Sequence, residues 1–359
     1  MAETGKPPEP VSDRVTLSVE GKDHGGWKSV RIEAGIERQA RSFEVAVTDK
    51  WPGSATETAR RIKPGDAVEV KIGKDLVCTG YVDATPIDYS SDSITIMIRG
   101  RSKTGDLVDC SADNPSEKGQ FKGLKAEAIA AKIAKQYGLN VKVEADTGAA
   151  IADHQVQQGE TAFESLDRLA RQRQIIISDN GAGDVVLLSP GSGGKAKSTL
   201  ELGVNILSAS AGFDYSEVYS KYKVKGQRSR GGDDADWDET SAAGLSSQGE
   251  ATDNSLKRQR VLVVRQTGQA DAGTCQKRAE HEQRIRAAKA GEIRYRAAGW
   301  RQQDGSLWQA NQTVAIKDSI MQVEKELLIS EVQYTLDEGG MIAELVCISP
   351  DAFLSSDEK

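Results

Sequence analysis

The stretch ITIMIRGRSKTGDLVDC, residues 94–110, marks a change from one structural pattern to another. In its first half isoleucine recurs at every second position, which is the period of a half-buried β-strand. Glycine and polar residues follow, and then Leu107 and Val108 begin a segment of different texture. Two interpretations are open at this point: a polar loop that grips an anion, or the joint between two domains.

The residues before Gly100 predict antiparallel β-structure. Phe43, Val45 and Val47 recur with a period of two, and similar alternation is found twice more before this glycine. Proline and glycine lie between the alternating runs, where turns are needed. Several short strands at this spacing are typical of a small barrel or sandwich. We therefore predict a β-barrel-like domain before the joint.

The residues after the joint predict an α+β unit. A first segment carries apolar residues on one helical face and ends at a glycine. A second helix begins with Thr161 and Glu164, which form a capping box. Two apolar runs around Asn180-Gly181 then predict a hairpin. These segments are GLKAEAIAAKIAKQYGLN (123–140), TAFESLDRLARQRQ (161–174) and IIISDNGAGDVVLL (175–188).

Alternating β-patterns return after the α+β unit. A helix at about 272–290, rich in arginine and lysine, interrupts them. Residues 226–257 contain few apolar side chains and predict a long flexible loop. The predicted units are a flexible N-terminus (1–11), a first β-barrel-like domain (12–102), the α+β unit with two helices and a hairpin (103–200), a second β-barrel-like domain (201–354) and a C-terminal tail (355–359). The predicted fold class is therefore mainly β, or α+β.

Composition excludes several functions. The chain of 359 residues has a net charge of -7, without the basic excess of most nucleic-acid-binding proteins. Its 4 cysteines lie far apart, so they have no metal-ligand spacing. No apolar run is long enough to span a membrane. We expect no metal, no cofactor, no small-molecule substrate and no membrane insertion.

Three motifs resemble catalytic or nucleotide-binding sites without completing them. SPGSGGKAKST, residues 189–199, has Ala196 where a phosphate loop needs a hydroxyl for magnesium, so we interpret it as a mobile surface loop or linker. AEHEQRI, residues 279–285, has Ile285 where a zinc protease needs its second histidine. No Gly-x-Ser-x-Gly elbow is present. The sequence therefore predicts no catalytic residues and no enzymatic activity.

A resemblance to a known family gives a more specific interpretation. The segments RIKPGDAVEVKIGKDLVCTGYVD, ITIMIRGRSKTGDLVDCSA, QGETAFESLDRLARQRQIIISDNGAGDVVLL, GSLWQANQTVAIKD and ISPDAF occur in this order. In that order they resemble the baseplate hub proteins of Mu-type contractile-tailed phages, over about residues 12–354. No single segment is diagnostic, because these are turn and strand patterns; their number and order carry the resemblance.

The resemblance implies an architecture and a set of partners. Hubs of this family have two similar β-barrel-like domains with a smaller α/β portion between them, an architecture shared with contractile injection systems. They form homotrimers whose pseudo-sixfold ring joins the tail tube to the central spike and contacts baseplate wedge proteins. DNA passes through the ring without specific binding. The implied location is the virion baseplate, after assembly in the host cytoplasm.

The resemblance also favours the joint over the anion loop. Gly100, Arg101 and Ser102 would end the last strand of the first domain, and Leu107 would anchor the α+β unit. A charged contact between Arg101 and Asp106 is expected to support this joint weakly. From the net charge we expect a channel poor in arginine and lysine, since an acidic lining repels phosphates. Cationic strand faces near 217–225 and 292–300 would then meet a partner subunit or an acidic neighbour.

Two other functions remain open. The chain is alternatively a hub or carrier protein of a secretion-type injection apparatus, which shares this architecture. A baseplate-associated cell-wall hydrolase is the third interpretation. A turbidity assay on peptidoglycan separates the hydrolase from the two structural functions.

Overall fold

The computed structural model describes residues 13–49, 62–91, 94–112, 119–173, 175–227, 246–269 and 271–350. The predicted flexible N-terminus and C-terminal tail lie outside the described residues. Strands predominate, and most of them pair antiparallel. The predicted fold class is confirmed: two β-rich regions flank an α+β unit. The domain borders given above remain predictions.

The first β-rich region has the predicted alternation. Val70 and Ile98 are fully buried, whereas the residues beside them in each strand are more exposed. One apolar face that packs on a core produces this period of two. The strands are β1 (Val15–Val19), β2 (Lys22–His24), β3 (Ser29–Gly35), β4 (Ser42–Asp49), β5 (Ala67–Ile72), β6 (Asp75–Ala84), β7 (Ile87–Tyr89) and β8 (Ile94–Ser102).

The α+β unit contains the predicted helices and hairpin. In the predicted capping box, the Glu164 N–H donates to Thr161 Oγ1 at 3.1 Å and the Thr161 N–H donates to Glu164 Oε2 at 2.7 Å. Gly138 follows the preceding helix at φ 67°, the left-handed conformation that favours glycine after a helix. The elements are α1 (Gly105–Asp109), β9 (Gln120–Leu124), α2 (Ala126–Lys135), β10 (Val141–Glu144), β11 (Ile151–Gln155), α3 (Ala162–Arg173), β12 (Ile176–Asp179) and β13 (Val185–Leu188).

The last part of the chain returns to β-structure around one long helix. That helix begins at Ala272 and ends at Ala290, as predicted. The Asp271 side chain caps its first turn by accepting the Thr274 N–H at 2.7 Å. The elements are β14 (Leu200–Glu201), β15 (Ile206–Ala211), β16 (Lys221–Gln227), β17 (Ser246–Thr252), β18 (Val261–Gln269), α4 (Ala272–Ala290), β19 (Ile293–Ala298), β20 (Thr313–Asp318), β21 (Val323–Asp337) and β22 (Gly340–Ile348).

One sheet of 14 strands joins the two β-rich regions. Its main path is β15-β19-β22-β21-β3-β4-β8-β6-β5-β1-β2, with β20 on β21, β14 on β20 and β7 on β8. The link is the antiparallel pairing of β21 with β3, from Glu331 opposite Gly35 to Leu336 opposite Val30. The two β-rich regions therefore share one continuous sheet, and barrel closure is not observed among the described strands.

Two sets of strands in this sheet have the same arrangement. In the first set β3 pairs with β4, β4 with β8, and β8 with β7. In the second set β15 pairs with β19, β19 with β22, and β22 with β21. All these pairings are antiparallel, and in each set the last two strands form a hairpin. The chain therefore contains an internal structural repeat, as the resemblance to hub proteins implies.

Part of the predicted second β-barrel-like domain forms a separate sheet. β16 lies in its centre, between β17 and β18. Helix α4 packs on one face of this sheet through Cys275 and Ala279, beside Val224. This small core explains why α4 has so few apolar residues: it covers only three strands.

The predicted loop at 226–257 requires a correction. Residues 246–252 form β17 and pair with β16, whereas residues 228–245 lie outside the described residues. The sequence SSQGEAT does not reveal a strand, because it lacks alternating apolar side chains. Its central residue, Gly249, lies against α4, where an added Cβ would come within 2.2 Å of the Cys275 backbone. The absence of a side chain therefore allows the helix to pack on this strand.

Candidate functional site: the joints between the domains

The predicted joint begins in a tightly packed strand. Gly100 lies in β8 between β4 and β6, opposite Phe43 and Val82. An added Cβ on Gly100 would lie 2.2 Å from the Tyr81 carbonyl oxygen and 2.5 Å from the Phe43 ring. Any larger residue would therefore push the neighbouring strands apart. The chain then leaves the strand at Ser102 and enters α1, where Leu107 is fully buried in the core of the α+β unit.

Arg101 makes two ion pairs at this joint, and neither is the predicted one. Its Nε donates to Asp83 at 2.8 Å, and its Nη1 and Nη2 donate to the Asp109 carboxylate at 3.1 and 2.6 Å. These bonds, to Asp109 first, raise the pKa of Arg101 and lower that of Asp109. Asp106 is exposed in the first turn of α1, one turn before Asp109. The prediction failed because the sequence did not place the start of this helix.

The buried centre of the joint is Asp179, at the end of β12. Its side chain is 1% exposed and accepts from the Arg41 N–H at 3.0 Å and from Arg41 Nε at 3.1 Å. Ser102 Oγ also donates to Asp179, and Thr104 Oγ1 lies 3.0 Å from the same carboxylate oxygen. One carboxylate thus fixes the end of β8, the start of β4 and the hairpin of the α+β unit together.

The tip of the same hairpin lies on β6. Thr79 Oγ1 donates to the Gly181 carbonyl at 2.9 Å. An added Cβ on Gly181 would approach the Leu76 carbonyl oxygen to 2.3 Å. The Asn180-Gly181 pair, which predicts a turn, therefore also serves as a close contact surface. Sequence reasoning missed Asp179 and Arg41, because an acidic residue before Asn-Gly is an ordinary turn residue.

Two further clusters connect the first and last β-rich regions. Arg301 is 10% exposed and donates through Nε to Asp13 at 2.6 Å and through Nη1 to Asp75 at 2.7 Å. Arg38 donates to Glu33 of β3 and, at 3.1 Å, to Glu331 of β21. Both arginines bridge segments from opposite ends of the chain. Together with the pairing of β21 and β3, they make the two regions one structural unit.

A polar cavity of about 310 Å³ lies where the three parts of the chain meet. Arg41 and Asp75 of the first region, Asn180 of the α+β unit and Gln309 of the last region are among its lining residues. The Arg41 guanidinium is already engaged by Asp179 and by the Val77 carbonyl. The cavity therefore lies at the boundary between the domains, and the positive charge of Arg41 on its wall is already paired.

The glycine-rich segment 189–199 has a structural role. The Asn311 side chain accepts from the Gly191 N–H at 2.7 Å and donates to the Ser189 carbonyl at 3.1 Å. Lys195 forms an ion pair with Glu326 of β21, so it does not present a free charge to phosphates. The segment that we interpreted as a mobile surface loop or linker is thus anchored by the Asn311 side chain.

Two of the three histidines have a pKa well below the usual value for imidazole. His154 Nε2 lies 2.9 Å from Ser165 Oγ, but both residues are buried, and Phe121 stacks on the imidazole. Burial first, and then the charge of Arg168, lower the pKa of His154 to about 4. Burial and Arg278 likewise lower the pKa of His281 to about 4. Both imidazoles are thus neutral at pH 7.

The described residues contain no group of three or more His, Cys, Asp or Glu side chains that could share a metal ion. Among the described helices, none combines the length and apolar character that crossing a bilayer requires. The cationic strand faces are partly neutralised within the chain. Lys221 and Lys223 pair with Glu250 at 2.6 and 3.2 Å, and Arg294 lies 2.9 Å from Glu292.

Three family models match separate parts of the chain, and together these parts make up most of it. Residues 14–102 match the N-terminal domain of the Mu phage baseplate assembly protein GpP-like family. Residues 104–189 match the second domain of the baseplate hub protein gp44-like family. Residues 271–356 match the fourth domain of the Mu phage baseplate assembly protein GpP family. The boundary between the first two matches lies within the Gly100–Leu107 joint.

Individual proteins show the same similarity over 95% of this chain. The chain is 34% identical to baseplate hub protein gp44 of Escherichia phage Mu over 345 residues, which cover 95% of this chain and 88% of that protein. The 43 kDa tail protein of prophage MuSo2 from Shewanella oneidensis is 32% identical, with a TM-score of 0.81 over 95% of this chain and 99% of that one.

More distant structures share the fold. A tail protein from Neisseria meningitidis MC58 is 21% identical, with a TM-score of 0.80 over 95% of this chain and 99% of that one. The c3393 component of the E. coli type VI secretion system is 11% identical, with a TM-score of 0.53 over 93% of this chain and 76% of that one. At these identities the likeness is one of fold alone.

Proposed function

The chain belongs to the baseplate hub protein family of Mu-like phages, and from this premise we propose that three copies form a ring between the tail tube and the central spike. The internal repeat of β3-β4-β8-β7 and β15-β19-β22-β21 carries this proposal. Two similar units in each chain give six similar positions in a trimer. A trimer of this kind can match a sixfold tube on one side and a threefold spike on the other.

We propose that the ring encloses the channel through which phage DNA leaves the particle. The sheet formed by the repeated strands has one face that packs on the hydrophobic cores. We propose that its other face lines the channel. Several charged residues on this face form ion pairs with each other, so we propose a lining closer to neutral than the acidic one expected from the net charge. These pairs are Arg31 with Glu33, Arg99 with Glu44, and Arg294 with Glu344. Paired charges hold phosphates weakly, which suits DNA that must slide.

The joint at Gly100, Arg101, Ser102, Asp106 and Leu107 has a structural role in this proposal. It holds the α+β unit against the first β-rich region, chiefly through the buried Asp179 contacts. A hub transmits force between tube and spike, so a rigid attachment of the flanking unit is favourable. We propose no enzymatic activity, in line with the names of the hub relatives.

Imaging of the purified chain tests the ring. We expect negative-stain class averages with threefold symmetry and an open centre, and a trimer mass by light scattering. Particles of another symmetry, or a ring with a closed centre, would contradict the proposed assembly. A peptidoglycan turbidity assay on the same sample should show no clearing, and lysis at catalytic protein levels would overturn the structural function.

A further inference from the structure

We propose that β7 of one chain pairs antiparallel with β15 of a second copy, with Ile87 opposite Ala211 and Tyr89 opposite Ala209. This inference rests on the proposed trimer and identifies the two surfaces that would close it. The pairing would extend the shared sheet from one chain into the next. The repeated strands form one row from β15 to β7, and the pairing would use the outer edges of these two strands.

Both edges are exposed in the single chain. Ile87 is 51% and Tyr89 81% exposed, although they alternate like core residues. Among the described strands β7 pairs with β8 and β15 with β19, so each has one open side. The β15 sequence ILSASA contains no charged residue. Open edges of monomeric proteins usually carry charges that prevent further pairing, and this strand lacks that protection.

The internal repeat identifies what β7 corresponds to. Tyr89 lies opposite Ile94 across the β7-β8 hairpin, and Leu336 lies opposite Met341 across the β21-β22 hairpin, with the same number of residues between them. Tyr89 therefore corresponds to Leu336. Two positions earlier, Ile87 corresponds to Tyr334, which is 5% exposed. The exposed residues of β7 thus occupy positions that are covered in its counterpart.

The same correspondence relates β15 to β3. In the first set a row of paired residues runs from Val30 through Val45 to Ile98. In the second set the matching row runs from Ala209 through Tyr295 to Leu345. The last two residues of each row are fully buried, which supports the alignment. Ala209 therefore corresponds to Val30, and Ala211 corresponds to Ile32.

The contact within the chain then predicts the contact between chains. β21 pairs with β3 so that Leu336 is opposite Val30 and Tyr334 is opposite Ile32. Transferred through the repeat, Tyr89 lies opposite Ala209, Asp88 opposite Ser210 and Ile87 opposite Ala211. Both alanines pack against the hydrophobic core and are small, so they leave space for the larger side chains opposite.

The geometry of this contact allows a closed ring. The two edges differ, so each copy would offer β7 to one neighbour and β15 to the other. Such a head-to-tail contact generates a ring when the rotation between copies closes. Since the same pairing relates the two halves of each chain, six similar joints would alternate around a trimer, three within chains and three between them.

Cysteine cross-linking tests the register directly. In a Cys110→Ser background, which removes the exposed native thiol, Asp88→Cys and Ser210→Cys are combined and treated with a short bis-maleimide. Directly opposed residues lie about 5 Å apart between Cβ atoms, within reach of that reagent and near disulfide range. We expect covalent dimers and trimers on denaturing gels. A mixture of the two single variants should stop at dimers.

The matched control moves one cysteine along the strand. Ser208 is exposed like Ser210 but lies two positions from the predicted partner. Asp88→Cys with Ser208→Cys should form a disulfide with mild oxidant several-fold more slowly than the predicted pair. Equal rates would overturn the register. A trimer that forms without cross-linking at either pair would overturn the β7-β15 contact and leave the ring itself intact. A chain that stays monomeric at its highest soluble concentration would count against both.

A substitution at the exposed tyrosine provides a second measurement. Tyr89→Ser should weaken self-association by about tenfold or more, because it removes a large aromatic anchor from a contact. The unfolding midpoint of the dilute monomer should stay unchanged, since Tyr89 is 81% exposed in the single chain. Phe213→Ser, at another exposed aromatic residue outside β15, is the control. Unchanged association of Tyr89→Ser would contradict the proposal.

Discussion

Replacement of Asp179 by alanine tests the buried centre of the domain joint. The change removes the acceptor for the Arg41 N–H, Arg41 Nε and Ser102 Oγ, and for Thr104 Oγ1. Loss of one partner from a buried ion pair costs about 3–5 kcal/mol, because the other charge stays desolvated. Arg41 retains 24% exposure of its side chain and can recover some hydration. We therefore expect the lower end of that range, about 3 kcal/mol.

The consequence is measurable as local opening of the joint. Since each 1.4 kcal/mol is a factor of about ten, a loss of about 3 kcal/mol corresponds to about a hundredfold in the opening equilibrium. Hydrogen exchange followed by mass spectrometry should show that loss of protection in peptides over β12 and the end of β8. Peptides over β16 and α4, which lie in another core, should keep their protection.

Asp106→Ala is the matched control, because Asp106 is an exposed acid in the same joint. Its removal should change protection by no more than a few-fold, as surface substitutions usually stay within about 0.5 kcal/mol. If Asp179→Ala left the exchange of β12 and β8 within the same limit, the reasoning that places the joint at Asp179 would be refuted.

Three further changes probe the fold from its local rules. Thr161→Ala should cost about 1 kcal/mol by removing the cap of α3, and an unchanged urea midpoint would mean that the helix begins elsewhere. Gly100→Ala should destabilise the fold by about 3 kcal/mol or leave the chain insoluble, because the new Cβ would lie 2.2 Å from the Tyr81 carbonyl oxygen. Gly212→Ala is the control and should be tolerated, since an added Cβ there meets nothing within 4 Å. The pKa of His154 is about 4 in the folded chain and 6.5 in the unfolded chain, so the stability that it contributes is present above pH 6.5 and is lost as the pH falls to about 4. In His154→Gln the urea midpoint should therefore depend less on pH over this range. An unaltered dependence would assign the acid sensitivity to other groups.

Local patterns in the sequence predicted the elements whose cause is local. The strand ITIMI, the cap at Thr161 and the helix stop at Gly138 each depend on residues within a few positions. The period of the apolar residues decides which side of an element is buried, and capping residues decide where a helix begins or ends. The structure has these features where the patterns indicate them. β17 is the exception, because no local pattern predicts it. Its position depends on Gly249, whose missing side chain lets α4 pack on this strand.

The contacts between distant segments could not be predicted in this way. Alternation shows that β21 has an apolar face, but it does not show that β3 is its neighbour. Asp179 and Arg41 lie 138 positions apart, and no local pattern distinguishes this acid from a turn residue. Arg101 illustrates the same limit at short range. The predicted partner was Asp106, but the helix that begins at Gly105 places Asp109 beside Arg101 instead.

The pairing of β21 with β3 has a consequence for how the chain is made. The ion pair of Arg38 with Glu331 beside this pairing joins residues 293 positions apart. At about 5–20 residues per second, the ribosome takes roughly 15–60 s to deliver the second strand after the first has emerged. During this interval the edge of β3 is open on the nascent chain, and neighbouring ribosomes on one message hold further copies of it close by. The yield of folded protein therefore depends on keeping that edge free of other strands until synthesis is complete.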